Sequence, residues 1–171
     1  ACVDLETTGA DPQFARIIEV GIVLIDDGVI TDRWSSLVDP DKPISERIQA
    51  FTGITNEMVA AAPTFHQVLD EIQARCSERI FAAHNARFDY GFLRAEFARA
   101  GKRFDASLLC TVKLSRRLDA SVRVHNLDAV IERYGLTCER RHRALPDAQA
   151  VADFLLAAAS SHGTVRVQQE L

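Results

Sequence analysis

The pattern of hydrophobic and polar residues predicts strands in the first part of the chain. An apolar run at residues 1–3 and a longer β-branched run at residues 17–25 both favour extended structure. Asp27-Gly28 is a hairpin signal, and the apolar residues between 29 and 38 predict a third strand after it. Because the connection is so short, the second and third strands should pair antiparallel.

Helical spacing dominates the rest of the chain. The apolar residues between 44 and 51 are spaced for a helix that Ser45 caps and Gly53 ends. The later segments predict a helix after Thr64, a buried strand over 80–83, a helix ending at Gly101, a strand over 107–110, and helices over 112–118, 127–134 and 144–159. This order predicts an α/β fold whose mixed sheet combines an antiparallel hairpin region with parallel crossovers.

Composition agrees with one globular domain. The 171 residues are 47% hydrophobic and 26% charged, which excludes a disordered or low-complexity chain. We expect a domain over residues 1–162, with 163–171 as a trailing segment or linker. The longest apolar runs are about six residues, too short to cross a membrane, and no signal peptide is visible. The cysteines, predicted to be reduced and mostly buried in a cytoplasmic protein, are Cys2, Cys76, Cys110 and Cys138.

The net charge of −4 conceals an asymmetry. Residues 1–75 carry a formal balance of −8, and the remaining residues carry +4. The acidic part is suited to metal ligands and the basic part to a polyanion, although solvated helix faces produce the same counts.

The first candidate cluster follows the first apolar run. Asp4 and Glu6 are two residues apart, so on a strand they face the same side while Leu5 turns into the core. Two such carboxylates repel each other unless a cation lies between them or one keeps its proton. A hard divalent metal is the natural partner, and surface charge is the alternative interpretation. A Thr-Thr-Gly turn comes next, with backbone amides that can face a phosphate or sugar.

The second cluster, at residues 84–89, lies where an apolar strand gives way to a helix. Ligands bind at this edge of α/β sheets. Asp89 falls in the first helical turn, where the helix dipole alone also favours an acid. Asn85 is either a substrate contact or a residue that caps the helix or forms the turn.

The third cluster precedes the last helix. Pro146 suits a first helical turn and places Asp147 near the helix start. His142 lies on the preceding loop, and an imidazole changes its charge near neutral pH, as a general base requires. A surface histidine in a basic loop is the alternative.

Together the clusters predict one site at one sheet edge. Two carboxylates come from the first strand and two from later helix starts, with one histidine beside them. Oxygen-only ligation suits magnesium or manganese better than zinc. Two such ions can clamp the attacking and leaving oxygens of a phosphoryl displacement.

Three motifs in order carry a family resemblance. Asp-x-Glu-Thr-Thr-Gly, His-Asn-x-x-Phe-Asp and His-x-Ala-x-x-Asp resemble the DEDD exonucleases, and the histidine five residues before the last aspartate marks the DEDDh subgroup. Within it, the chain is similar to the RNase T type and to the proofreading epsilon type of bacterial DNA polymerase III. The resemblance implies an RNase H-like fold, with a mixed five-stranded sheet and helices on both faces. It also implies a 3′→5′ exonuclease that releases nucleoside 5′-monophosphates.

The resemblance further implies roles for individual residues. Asp4, Glu6 and Asp147 would ligate two divalent cations, Mg²⁺ or Mn²⁺, with Asp89 acting directly or through water. His142 would deprotonate the attacking water.

Other residues would contact the substrate. Thr7, Thr8 and Gly9 would hold the sugar of the terminal nucleotide. Phe51 would stack on terminal bases, unless it is a core residue of its short helix. Phe88 is expected in the core. The basic residues that could follow the strand, or equally form solvated helix faces, are Arg87, Lys113, Arg116, Arg117, Arg123, Arg140, Arg141 and Arg143.

The expected partner is the 3′ end of a single-stranded nucleic acid, with DNA favoured over RNA because of the epsilon resemblance. A DNA polymerase subunit or a fused domain is a further expected partner, and a membrane is not. Two alternatives remain open. One is an exoribonuclease that trims RNA 3′ ends, since no residue visibly selects against a 2′-hydroxyl. The other is a catalytically silent binding module, which the presence of all four acids and the histidine disfavours.

Overall fold

The computed structural model describes residues 1–163, so most of the predicted trailing segment at 163–171 lies outside the described residues. A mixed five-stranded sheet forms the centre of the fold, with strand order β3-β2-β1-β4-β5. Its strands are β1 (Cys2–Thr7), β2 (Ile17–Asp26), β3 (Val29–Leu37), β4 (Ile80–Ala83) and β5 (Ser107–Cys110).

The strand pairing follows the predicted connections. β2 pairs antiparallel with both β1 and β3, while β4 runs parallel to β1 and β5. Asp27 and Gly28 both have positive φ, as a tight hairpin turn requires. β2 is buried from its first residue to Leu24, which explains its nearly continuous apolar sequence. The predicted antiparallel hairpin is confirmed.

Helices connect and flank the strands. Those of the described residues are α1 (Glu46–Thr52), α2 (Asn56–Ala60), α3 (Phe65–Cys76), α4 (Ala86–Arg99), α5 (Thr111–Leu118), α6 (Leu127–Tyr134) and α7 (Ala144–His162). Every predicted helix is present, and α7 continues three residues beyond its predicted end. The sequence did not predict α2, because five residues are too few for a periodic signal.

The helices cover both faces of the sheet. Val3 and Leu5 of β1 belong to the large core cluster that includes Leu69 of α3 and Phe92 of α4. Residues of the opposite face pack against α7, as Cys2 shows. The predicted α/β class, with a mixed five-stranded sheet between helices, is confirmed.

Two further predictions concern the burial of the cysteines and the ability of the helices to cross a membrane. All four cysteines are free; Cys2 and Cys76 are buried, whereas Cys110 and Cys138 are partly exposed. Within the described part of the chain, no helix has the length and apolar character needed to span a bilayer.

Candidate active site

Strand β1 supplies the first two carboxylates of the site. Its alternation sends Leu5 into the core and turns Asp4 and Glu6 to the face covered by α7. Glu6 is buried and Asp4 is half-buried. A register shift between Glu6 and Thr7 ends the regular pairing with β2 at this point. The predicted placement of two acids on one face is confirmed.

Helix α7 supplies the third carboxylate. Pro146 lies in its first turn, where a missing N–H costs no helical hydrogen bond. Asp147 follows and is only 4% exposed. Its Oδ2 accepts a hydrogen bond of 3.2 Å from the backbone N–H of His142, which ties the preceding loop to the helix.

These acids meet in one place. One carboxylate oxygen each from Asp4, Glu6 and Asp147 lies within 4.8 Å of the others. Asp89, buried in the first turn of α4, stands close enough to repel Asp4 and Glu6 electrostatically. The structure therefore brings three of the four predicted acids into direct proximity and places the fourth beside them.

Crowding and burial disfavour the charged state of these acids. Burial, followed by repulsion from Asp89, Asp147 and Glu6, raises the pKa of Asp4 well above its usual range. Burial, and then repulsion chiefly from Asp147, raises the pKa of Glu6 to about 7.

Asp89 responds in the same direction. Burial raises its pKa above the usual range, although backbone hydrogen bonds from its own amide and that of Leu5 oppose the shift. A cation among the acids would relieve the repulsion, and their oxygen-only donors fit a hard divalent metal such as Mg²⁺ or Mn²⁺.

A guanidinium group also reaches the acids. Arg141 forms ion pairs with Asp147 and with Asp128 of α6. Burial lowers the pKa of Arg141, but its hydrogen bonds to these two aspartates outweigh burial and raise it. Arg141 therefore neutralises part of the carboxylate charge.

His142 lies at the rim of the same cleft. Its φ of 60° places the loop backbone in the left-handed region. The ring centroid lies 4.0 Å from that of Phe51, with the two planes tilted by 35°. Phe51 is 58% exposed, so the alternative that it is a core residue is wrong. The cleft has a volume of about 320 Å³ and is lined by Asp4, Leu5, Glu6, Thr7, Gly9, Ala10, Arg47, Ile48, Phe51, Thr52, Phe88, His142 and Asp147.

The predicted substrate-binding residues separate into two groups. Thr7 and Gly9 line the cleft, and the Thr7 hydroxyl donates to the Gly9 carbonyl at 2.7 Å. The Thr8 hydroxyl instead accepts the Arg16 N–H at 2.9 Å and closes the loop. Asn85 lies in a neighbouring groove.

For Asn85 the structure decides against the capping alternative, and for Phe88 it adds a contact to the expected one. Asn85 does precede the helix, but it has left-handed backbone dihedrals and its side chain makes no capping hydrogen bond. The residue acts as a turn former, a conformation that asparagine tolerates. Phe88 packs against the core as expected, and its ring centroid lies 4.9 Å from that of Phe92. It is only half-buried, however, and also lines the cleft.

Sequence reasoning missed a buried acid next to the cleft. Glu19 of β2 is 4% exposed and binds Arg143 through three hydrogen bonds. A glutamate inside an otherwise apolar strand was the available signal. Among the basic residues proposed to follow the strand, Arg141 and Arg143 thus contact acids, while the exposed ones are Arg87, Lys113, Arg116, Arg117, Arg123 and Arg140.

Comparisons with known proteins agree on one family. Residues 1–155 match the RNase T family, described as Exonuclease. A DNA polymerase III PolC-type protein of Thermotoga petrophila is 41% identical over 155 residues, which are 90% of this chain and 11% of the relative. The DNA polymerase III epsilon subunit of Aquifex aeolicus is 34% identical, covering 90% of this chain and 77% of the subunit.

A solved structure extends the agreement to three dimensions. Exonuclease X in complex with 5′ overhanging duplex DNA superimposes with a TM-score of 0.77 at 30% identity. The match covers 94% of this chain and 91% of that one. The chain spans about a tenth of the PolC-type relatives but most of the epsilon subunit and of exonuclease X.

Proposed function

The chain belongs to the RNase T exonuclease family, and from that premise we propose that it removes nucleotides one at a time from the 3′ end of single-stranded DNA. Each cycle hydrolyses the terminal phosphodiester bond and releases a nucleoside 5′-monophosphate. The supporting observation is the cluster of carboxylates from Asp4, Glu6 and Asp147, within 4.8 Å of one another in an open cleft.

The acids are proposed to hold divalent cations, which exonucleases of this family use. Asp4, Glu6 and Asp147 would ligate two Mg²⁺ or Mn²⁺ ions, with Asp89 contributing directly or through water. Such ions, when bound, activate the attacking water and stabilise the charge on the departing 3′-oxygen. Bringing four carboxylates together without a cation is unfavourable, as the raised pKa values of Asp4 and Glu6 indicate.

His142 is proposed to take the proton from the attacking water. The water oxygen then forms a bond to phosphorus, the bond from phosphorus to the 3′-oxygen breaks, and the departing 3′-oxygen takes up a proton from solvent to become the new 3′-hydroxyl. The His142 ring has no hydrogen-bond partner within residues 1–163, so a ring nitrogen is available for this proton. Phe51, stacked on His142 and exposed to the cleft, would contact the terminal base without selecting its identity.

We infer a proofreading role in DNA replication or repair, with a polymerase as fused or associated partner. The named relatives that support it are DNA polymerase III PolC-type proteins and an epsilon subunit. A mismatched primer end frays into a single strand more readily than a matched end. An exonuclease that needs a single-stranded 3′ end would therefore remove mismatched nucleotides preferentially.

The direct test is a cleavage assay on matched DNA and RNA oligonucleotides labelled at the 5′ end. With millimolar Mg²⁺ or Mn²⁺, the DNA should shorten stepwise from its 3′ end and release nucleoside 5′-monophosphates. EDTA should stop the reaction, and an Asp4→Asn variant purified in parallel should be inactive, which excludes a contaminating nuclease.

The same assay can overturn the proposal. Absence of cleavage at every metal concentration would favour a silent binding module, and faster cleavage of RNA would indicate an exoribonuclease. Primer-template duplexes with a matched or a mismatched 3′ end test the proofreading role. Equal rates on the two duplexes would contradict it.

A further inference from the structure

A buried ion pair joins β2 to the loop that carries His142. The Arg143 Nε lies 2.9 Å from Oε2 of Glu19, and the Arg143 Nη2 lies 2.5 Å from Oε1. The side chains are 21% and 5% exposed, so the pair is largely shielded from solvent. This two-pronged contact connects residues 124 positions apart and fixes orientation as well as distance.

The same glutamate caps helix α7. Oε2 of Glu19 accepts the backbone N–H of Ala144, the first residue of the helix, at 2.9 Å. Arg143 occupies the N-cap position but makes no side-chain capping bond of its own. Glu19 therefore performs from β2 the task that a local serine or aspartate usually performs.

Gly21 brings the helix start against the same strand. It lies two residues after Glu19, on the same side of β2. A Cβ atom at this position would lie 2.3 Å from the carbonyl carbon and oxygen of Ala144. The first turn of α7 thus packs directly on the strand backbone, with Glu19 beside the contact.

From these contacts we propose that Glu19 and Arg143 are positioning residues for the exonuclease reaction. By clamping residues 143 and 144 they set His142 on one side and Asp147, within the next helical turn, on the other. His142 and Asp147 act in the proposed function, so the inference rests on that function. Neither Glu19 nor Arg143 lines the cleft, and both act through their neighbours.

The pair also controls charge next to the acids. Glu19 is directly opposite Glu6 in the β1–β2 register. Arg143 places its positive charge on Glu19 through three hydrogen bonds. The ion pair therefore gives the negative charge of Glu19 a partner directly beside the acid cluster.

The test compares Arg143→Lys with Arg133→Lys. Lysine keeps the positive charge but loses the planar fork that binds both carboxylate oxygens. Arg133 is a matched control because it is similarly shielded, at 20% exposure, and also binds an acid, Asp119, away from the cleft. Oligonucleotide hydrolysis gives kcat and KM. Electron paramagnetic resonance of Mn²⁺ gives metal affinity without turnover.

For Arg143→Lys, kcat should fall about 10- to 100-fold with KM within about threefold, because the reacting groups are misplaced while substrate contacts remain. The Mn²⁺ dissociation constant should rise about tenfold. Arg133→Lys should lower only the melting temperature. Glu19→Gln keeps an acceptor for the Ala144 N–H and serves as a second variant, expected to weaken Mn²⁺ binding in the same way.

Two results would overturn the inference. One is Arg143→Lys and Glu19→Gln both binding Mn²⁺ as tightly as the unaltered protein. The other is Arg133→Lys losing kcat and Mn²⁺ affinity to the same extent, which would indicate general destabilisation. If the unaltered protein fails to cleave DNA, the proposed function fails, but the Mn²⁺ measurements still decide whether the pair positions the acids.

Discussion

Two histidines of this chain stand in similar local sequence but in opposite environments. His125 and His142 each lie two residues before a helix, and each helix carries an aspartate near its start, Asp128 or Asp147. His125 is 8% exposed, and its ring has Nδ1 2.8 Å from the Ser115 hydroxyl and Nε2 3.0 Å from the Val122 carbonyl.

His142 differs in every respect that concerns its ring. It faces the cleft, stacks on Phe51 and has no hydrogen-bond partner for its nitrogens in the part of the chain that the structure describes. A ring with both nitrogens occupied stabilises a loop, whereas an unoccupied nitrogen beside a cleft can exchange a proton. The comparison shows that surroundings, rather than the histidine-to-helix spacing, separate a structural imidazole from a candidate base.

The largest difference in turnover is expected between variants of the two aspartates that follow these histidines, Asp147 and Asp128. Asp147→Asn should abolish measurable turnover, because it removes a charged oxygen ligand while preserving side-chain shape. It should leave the fold intact, since it also relieves repulsion with Asp4 and Glu6. Steady-state hydrolysis of a single-stranded oligonucleotide, together with a circular dichroism melt, measures both effects.

Asp128→Asn is the matched control for that experiment. Asp128 is 62% exposed, and its ion pair with Arg141 connects it to Asp147 of the acid cluster. Its loss should reduce kcat less than about tenfold, since exposed ion pairs contribute little. If Asp128→Asn lost as much turnover as Asp147→Asn, the experiment would not support a specific role for Asp147 in the reaction.

The histidines themselves should differ next most strongly. His142→Ala should lower kcat by about 10²–10⁴-fold, the usual contribution of a general base. Its melting temperature should change little, because no ring hydrogen bond within residues 1–163 is lost. A variant that retains the kcat of the unaltered protein would assign the base to another group.

His125→Ala should show the converse behaviour. It leaves the buried Ser115 hydroxyl and the Val122 carbonyl without a ring partner, which costs about 1–3 kcal/mol of unfolding free energy. Turnover of the folded fraction should be unchanged. Denaturant unfolding at a temperature where both proteins are folded gives the free energy.

The sequence predicted those parts of the site that depend on local periodicity. The face shared by Asp4 and Glu6 follows from strand alternation, and the position of Asp147 follows from a proline-marked helix start. Both are determined within a few residues, so a single stretch of sequence suffices. Predicting that these stretches converge in one site also required the family resemblance and the expectation that the motifs meet at one edge of the sheet.

Contacts between distant segments were not predictable in this way. The pairing of Glu19 with Arg143 and the contact of Gly21 with Ala144 depend on how α7 crosses β2. The sequence of either element alone does not specify that crossing. The stacking of Phe51 on His142 likewise depends on where α1 lies over the cleft. Periodicity gives the buried face of an element, but not the partner it meets there.

The remaining prediction concerns the pH dependence of stability, to which Glu6 in the cleft should contribute. The pKa of Glu6 is raised from an ordinary 4.5 to about 7 in the folded protein. As the pH rises between these values, the unfolded chain loses this proton while the native protein keeps it. The metal-free protein therefore loses stability over this range, and none from this group above it.

Glu6→Gln removes that titration. In EDTA, the variant should melt several degrees above the unaltered protein near pH 8 and close to it near pH 4, a difference on the order of 1–3 kcal/mol. Millimolar Mg²⁺ should reverse the order near pH 8, because a ligand that binds the native state stabilises most the protein that retains Glu6. Melting curves that differ by a constant amount at all pH values would show instead that Glu6 does not titrate within the acid cluster.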